Sequence, residues 1–287
     1  MNHAQTSKID AHHHLWDAER YPYPWLASSA TRIPLRYLVE DFLADTARQG
    51  VVKSVHVQGE IARHLSLFET DWLQQIADAH GFPHAIVAYA ALESEDVEAM
   101  LDAHAAHPNV RGIRQILNPD QCERDDLLTD SAWRSGYARL GQHALSFDLQ
   151  AAPHQMADAA EVAQLYPGTA MIVNHTGLPR DRAPEGQLAW RQGMQRLAEL
   201  PNTSVKISGF SMWGPNWTVE SIRPLVLETV DIFGVDRCMF ASNFPVDRPY
   251  TTYDRLFDAF SAITRGFSGP EREALFRSNA ERIYRIG

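Results

Sequence analysis

Hydrophobic positions along the chain fall into eight short runs, which alternate with longer amphipathic segments. The runs predict these strands: Ile9–Leu15, Val51–Gln58, His84–Leu92, Val110–Leu117, Ala144–Gln150, Ala170–His175, Thr203–Ser208 and Cys238–Ser242. Strands separated by helix-length segments are typical of parallel strands that are joined by crossover connections. Eight such units predict an α/β fold of the (β/α)8 type, a TIM barrel, in which residues 1–287 form a single domain.

The ends of the amphipathic segments support this alternation. Thr70–His80 is followed by Gly81, and Val219–Phe233 is followed by Gly234. Gly81 suits the left-handed turn that commonly follows the end of a helix. The alternative fold is an open doubly wound sheet, which would need a glycine-rich phosphate loop after the first strand. The sequence after the first predicted strand contains no such loop, so the barrel is favoured.

The segment 17–36 follows the first predicted strand and is rich in aromatic residues and proline. In a barrel, such a segment lies over the carboxyl ends of the strands, which form the catalytic face. A wall or lid of the pocket and ordinary surface packing are about equally supported for a long loop at this place. The aromatic residues of this segment, together with Trp213 and Trp217, indicate a ring-bearing ligand. Core positions would explain these residues equally well.

The composition narrows the classes of function. The 287 residues carry a formal net charge of −10. This charge disfavours nucleic acid and anionic membrane as partners, so a small-molecule substrate is expected, and local arginines still allow an anionic one. Cys122 and Cys238 form no disulfide framework. Without a signal-like stretch or a membrane-length apolar run, a cytoplasmic location is expected. The sequence leaves open whether the chain forms a homo-oligomer.

The strongest local signal for chemistry is the run Ile9–Trp16, which contains three consecutive histidines. Because side chains alternate along a strand, Asp10, His12 and His14 are predicted to share one side, and His13 to take the other. Two imidazoles at such a spacing can converge on a divalent metal or on a substrate carbonyl. An affinity-tag remnant or surface histidines fit poorly, because the histidines are embedded in an apolar strand.

Three further candidates lie at predicted strand ends. His175 ends the sixth strand, His154 lies just past the fifth, and Glu60 lies just past the second. Each alone would more often be an ordinary loop, core or surface residue. Their recurrence at the strand ends of one barrel predicts that they meet the histidines of the first strand. Glu60 is a candidate base or ligand, with a surface role about equally supported.

Six motifs occur in a characteristic order along the chain. They are Ile9–His14, Phe147–Leu149, Asn174–Gly177, Val205–Gly209, Met239–Val246 and Ser278–Tyr284. In this order they resemble the amidohydrolase 2 branch of the amidohydrolase superfamily, over essentially the whole chain. That branch includes sugar-acid lactonases, such as fuconolactonase and rhamnonolactonase, and pyrone-dicarboxylate lactonase. Related branches include metal-dependent decarboxylases of aromatic acids.

The resemblance implies roles for individual residues. His12 and His14 match the paired histidines of the family's first strand, and His175 matches the sixth-strand histidine that polarises the substrate carbonyl. These three would hold the metal, zinc or manganese, in a relative that binds one; the resemblance leaves open whether this chain binds a metal or none. For Arg114, a salt-bridged structural role is an even alternative. The residues predicted to bind substrate are Arg114, His154, Lys206, Asn243 and Trp16.

The eighth strand departs from the family pattern. Relatives end this strand with an aspartate that acts as the general base for water, whereas this chain has Asn243. An amide cannot accept the proton, so another group has to serve as the base. Asp247 is the first predicted substitute, Glu60 the second and a histidine the third. The loss of the aspartate also weakens the case for a bound metal.

These observations predict an enzyme that opens a lactone of a sugar acid or an aromatic catabolite by attack of water on the carbonyl. His12, His14 and His175, or a metal that they hold, would stabilise the oxyanion. An amide hydrolase or a metal-dependent decarboxylase of an aromatic acid is the nearest alternative. A ligand-binding barrel that has lost its base is an alternative of another class. Asn243 favours that reading, and the retained histidines count against it.

Overall fold

The fold is built around eight parallel strands in a computed structural model that describes residues 7–28, 32–212 and 214–287. They are β1 (Lys8–His13), β2 (Val51–Val57), β3 (Ala85–Ala88), β4 (Val110–Ile113), β5 (Ser146–Leu149), β6 (Met171–Val173), β7 (Thr203–Ile207) and β8 (Cys238–Phe240). Each strand pairs in parallel with the next. The amide of Asn243 donates to the His12 carbonyl at 2.8 Å, and that of His14 to the Phe244 carbonyl at 2.7 Å. These bonds join β1 to the chain after β8, and the predicted eight-stranded barrel is confirmed.

Helices surround the strands. They are α1 (Pro24–Ser28), α2 (Val39–Thr46), α3 (Ser66–His80), α4 (Val97–Ala105), α5 (Ser131–Leu140), α6 (Met156–Leu165), α7 (Pro184–Ala198), α8 (Val219–Phe233), α9 (Tyr253–Ile263), α10 (Gly269–Glu273) and α11 (Asn279–Tyr284). A π-helical turn, Ala274–Ser278, joins the last two. In the described ranges, no helix combines the length and the apolar character that crossing a membrane requires. The predicted end of α3 is confirmed, because Gly81 follows it with φ 74°.

The strands are shorter at their carboxyl ends than the hydrophobic runs that predict them. The run His84–Leu92 keeps strand geometry only over β3, and the run Val110–Leu117 only over β4. Leu92 and Leu117, beyond these ends, are nevertheless fully buried. The loops fold inward over the core, so the apolar pattern continues after the ladder of hydrogen bonds has ended.

Two layers of apolar side chains hold the barrel together. The outer layer lies between the strands and the helices, and includes Phe147 and Phe240. The inner layer fills the barrel near its amino-terminal end, where Ile9 and Ala11 pack with Tyr284 of α11. The last helix therefore closes the bottom of the barrel, and the upper end is left for the polar residues that follow the strands.

A close backbone contact fixes α5 against the loop after β3. A Cβ atom added at Gly136 would lie 2.0 Å from the carbonyl oxygen of Leu92. Because backbone cannot yield as a side-chain end can, we expect Gly136→Ala to lower the free energy of unfolding by about 1–3 kcal/mol or more. Urea denaturation followed by circular dichroism measures the change.

Gly168→Ala is the matched control, because no atom lies within 4 Å of its added Cβ. We expect this variant to unfold at about the same urea concentration as the wild type. An equal effect of the two substitutions would contradict the packing of α5 against Leu92.

Candidate active site

A register shift in β1 determines which of its side chains enter the barrel. Pairing with β2 is irregular between Asp10 and His13, and the amide of His12 donates to the Asp10 carboxylate at 3.1 Å. Asp10 turns toward Ser242 and the Tyr253 hydroxyl, whereas His12 lies against His14. The prediction that Asp10 shares a side with these histidines is therefore wrong, because a bulge interrupts the alternation between them.

Three imidazoles meet above the inner apolar layer. The Nε2 atoms of His12 and His14 are 3.3 Å apart, and the ring centroids of His12 and His175 are 4.5 Å apart. Burial, followed by nearby positive charges, lowers the pKa of each of these histidines well below the usual value. The structure thus brings together the three histidines that the sequence singles out, and they are neutral at physiological pH.

The pocket above them has a cavity volume of about 70 Å³ and opens to solvent. Six of the sequence-predicted site residues line it: His14, Trp16, Glu60, Arg114, His175 and Asn243. Trp25 of α1 also lines it, and its indole donates to the Gly59 carbonyl at 2.8 Å. This position supports a pocket-wall role for the segment 17–36, of which residues 29–31 lie outside the described ranges.

Three of the lining residues have an unusual backbone conformation. Glu60, His175 and Asn243 have φ values of 60°, 51° and 59°. The left-handed region is costly for residues other than glycine, and such strain is concentrated at functional sites. Each residue follows the carboxyl end of a strand, where the sharp turn directs its side chain into the pocket. The Nδ1 atom of His175 lies 3.0 Å from the Ser208 hydroxyl.

Arg114 is a buried cation inside the pocket. Its Nη2 donates to the Gln58 carbonyl at 2.6 Å, and its Nη1 to the Gln150 side chain at 3.1 Å. Its Nε atom is buried without a partner, and in the described ranges no carboxylate lies within 4 Å of the guanidinium. Burial lowers the pKa of Arg114, yet a guanidinium keeps its charge in proteins. Gln150, which was not predicted as a site residue, is recognisable only as the last residue of the fifth hydrophobic run.

Lys206 lies below the pocket and does not line it. It is fully buried, and its Nζ atom lies 2.6 Å from Asp148 Oδ2 and 3.4 Å from His12 Nδ1. The Tyr284 hydroxyl donates to the same carboxylate at 3.0 Å. The lysine that was predicted to bind substrate thus contacts an aspartate and a histidine of the barrel interior.

Asp247 lies behind the pocket wall. Its carboxylate accepts hydrogen bonds from Asn243 Nδ2 at 3.0 Å and from the Ser211 amide at 3.4 Å. Burial raises the pKa of Asp247 to about 7. Asn243 stands between this carboxylate and the pocket, so Asp247 orients the amide and does not face the cavity itself.

The remaining candidates lie away from the histidines. His154 is exposed, 3.3 Å from Asp125, and lines a neighbouring cavity. Trp217 is buried, and its indole donates to Ser211 Oγ at 3.0 Å. Trp213 lies outside the described ranges.

The donor set was tested for a divalent metal. Among the residues that the structure describes, no three His, Cys, Asp or Glu side chains converge as a cation requires. A metal-binding histidine normally donates its other ring N–H to an acceptor, but His12 Nδ1 faces the Lys206 amine, which is paired with a carboxylate. The eighth strand offers the amide of Asn243 in place of a carboxylate. These residues do not fit a divalent metal.

The raised pKa of Asp247 predicts a pH dependence of stability. A carboxyl group with a pKa of about 7 in the folded state holds its proton longer than it does in the unfolded chain, so its contribution to stability is lost as pH rises from about 4 through 7. We therefore expect Asp247→Asn to gain stability relative to the wild type between pH 5 and pH 8. Urea denaturation at both values measures the difference.

Asp231→Asn, on an exposed position of α8, is the control and should keep the pH dependence of the wild type. If the free energy of unfolding of the wild type changed with pH in parallel with that of Asp247→Asn, the Asp247 carboxyl group would have the same pKa in the folded and the unfolded state, which contradicts the prediction.

Comparison with known proteins identifies the family of this chain. A Sinorhizobium fredii protein, y4mH, is 44% identical, covering 97% of this chain and 98% of its own. An L-fucono-1,5-lactonase from Burkholderia ambifaria is 28% identical, over 98% of this chain and 96% of its own. The structure of a Burkholderia multivorans amidohydrolase with bound zinc has a TM-score of 0.86 and 24% identity, over 98% of this chain and 100% of its own. The amidohydrolase family model matches residues 9–286, so the chain belongs to the amidohydrolase family.

Proposed function

We propose that this amidohydrolase opens the lactone ring of a small sugar acid or aromatic catabolite by attack of water on the carbonyl. The supporting observation is a single pocket that holds the Glu60 carboxylate, the Arg114 guanidinium and the His175 imidazole. Ester hydrolysis needs a base for water and a cationic or hydrogen-bonding group for the oxyanion, and these residues supply both. The lactonase among the relatives supports a cyclic ester over an amide.

The carbonyl oxygen is bound by His175 and Arg114. The Ser208 hydroxyl lies 3.0 Å from His175 Nδ1, and we assign it as the donor, which leaves the ring proton on Nε2. This N–H and the positive charge of Arg114 then face the oxygen on which negative charge develops. Both side chains are buried, so these interactions are stronger than they would be in solution.

Glu60 is the base. Its carboxylate lines the pocket, whereas that of Asp247 lies behind Asn243. Gln58 Nε2 donates to Glu60 Oε1, which fixes the carboxylate while it accepts a proton from the attacking water. When the tetrahedral intermediate collapses, the ring C–O bond breaks and the protonated Glu60 returns its proton to the leaving oxygen. Lactone and water thus yield one hydroxy acid, and the enzyme is restored.

The walls of the pocket suit a ring. Trp16 and Trp25 both line the cavity, and their ring planes are nearly perpendicular, with centroids 5.5 Å apart. Aromatic faces bind sugar and pyrone rings alike, and the charge of Arg114 accommodates a substrate carboxylate. Both types of substrate ring therefore suit these walls.

A substrate screen tests the proposed function. Protein purified without added metal is supplied with L-fucono-1,5-lactone, related sugar-acid lactones and 2-pyrone-4,6-dicarboxylate, and acid release is followed in a pH-stat. We expect hydrolysis of at least one lactone well above the spontaneous rate, because the pocket supplies base and oxyanion contacts. Turnover of amides or aromatic acids, with no lactone opened faster than in buffer, would reject the proposal.

The identity of the base is tested by two matched substitutions. Glu60→Gln and Asp247→Asn each exchange a carboxylate for an amide of similar volume. We expect Glu60→Gln to lower kcat by about 10²-fold or more, the usual scale for removal of a general base. Asp247→Asn should have a smaller effect, because this residue acts through Asn243. A larger loss for Asp247→Asn in steady-state kinetics would assign the role to that residue.

A further inference from the structure

A chain of buried hydrogen bonds runs beneath the pocket from Lys206 to the backbone of β2. Lys206 Nζ lies 3.4 Å from His12 Nδ1, and His12 Nε2 lies 3.3 Å from His14 Nε2. His14 Nδ1 then lies 2.7 Å from the Val57 carbonyl oxygen. Four groups thus form one line, which begins at an amine and ends at a carbonyl.

The two ends of this line assign the ring protons between them. A carbonyl oxygen can only accept, so His14 carries its proton on Nδ1 and leaves a lone pair on Nε2. An ammonium can only donate, so His12 accepts at Nδ1 and carries its proton on Nε2. The His12 Nε2–H therefore points at the His14 lone pair, and the hydrogen bond between the rings is formed in one direction.

Lys206 is held as an ammonium by its surroundings. Asp148 Oδ2 lies 2.6 Å from its Nζ atom, and the ring centroid of Tyr284 lies 5.1 Å away. Both side chains of the ion pair are fully buried, and the Tyr284 hydroxyl donates to Asp148 as well. A buried carboxylate stabilises a cation at this distance, so the ammonium form is the one that His12 meets.

The spacing of the two rings alone does not distinguish a hydrogen bond between them from a metal ion bound by both. Zinc bound tetrahedrally at 2.0–2.1 Å would also separate two nitrogens by about 3.3 Å. Lys206, on the Nδ1 side of His12, decides between the hydrogen bond and the metal ion. A metal needs the Nε2 lone pair and a proton on Nδ1, and the ammonium of Lys206 opposes that proton.

We propose that Lys206 is a positioning residue, which fixes the tautomer of His12, directs a hydrogen bond from His12 Nε2 to His14 Nε2 and keeps divalent cations away from this pair. The ring protons and the metal affinity of this pair are independent of the proposed reaction. Lys206 does not line the pocket, which agrees with a positioning role.

The test is zinc binding by chelator-treated protein, measured by isothermal titration with Zn²⁺ alone. Lys206→Met by itself would leave Asp148 as an unpaired buried charge, so the main variant is Lys206→Met with Asp148→Asn. We expect this double variant to bind zinc at least about tenfold more tightly than the wild type, the scale on which partners of metal ligands act. Adding His14→Ala should abolish the gain.

Tyr284→Phe is the matched control, because it removes a hydrogen bond from Asp148 and leaves the ammonium beside His12. Its zinc affinity should equal that of the wild type. Equal zinc affinity in the double variant and the wild type would overturn the proposal, as would a gain that survives His14→Ala.

Long-range ¹H–¹⁵N spectra give a second readout, which needs only the wild-type protein and single His→Ala variants for assignment. We expect His12 protonated on Nε2 and His14 on Nδ1. A His12 proton on Nδ1 would refute the role of Lys206 even where the double variant fails to fold.

Discussion

The barrel closes where the Asp10 carboxylate accepts hydrogen bonds from Ser242, and the site depends on this contact. Its oxygens lie 2.9 Å from the Ser242 amide, 2.6 Å from the Ser242 hydroxyl and 3.0 Å from the Tyr253 hydroxyl. The His12 amide donates to the same carboxylate, within the irregular part of β1. One buried group thus joins the first strand to the last and stabilises the bulge, which turns His12 and His14 into the barrel.

The chemistry of the pocket is concentrated where the backbone is least regular. Glu60, His175 and Asn243 all take left-handed conformations just past strand ends. A regular strand end would let the chain leave the barrel smoothly, whereas these turns reverse it over the cavity. The surrounding structure offsets the strain: the amide of Asn243, for example, bonds to the His12 carbonyl and its side chain to Asp247.

Two buried cations near the histidines, Lys206 and Arg114, have different surroundings and therefore differ in their capacity to bind an anion. Lys206 is paired with Asp148, so its charge is satisfied within the protein. Arg114 donates to a carbonyl and an amide, both neutral, and its Nε atom has no partner. The cation without a direct carboxylate partner is the one that lines the pocket, where a bound anion or a developing oxyanion would complete its hydrogen bonds.

The sequence by itself determined the number and order of the barrel strands, the end of α3 and the identity of the three histidines, because periodicity, glycine placement and motif order can be recognised along the chain. Only the tertiary structure decided which groups face the pocket. A bulge in β1 places Asp10 and His12 on different sides of the strand. Lys206 is paired with Asp148, and Asp247 lies behind Asn243. These outcomes depend on hydrogen bonds that mostly join different strands and loops, and spacing along one strand carries no information about them.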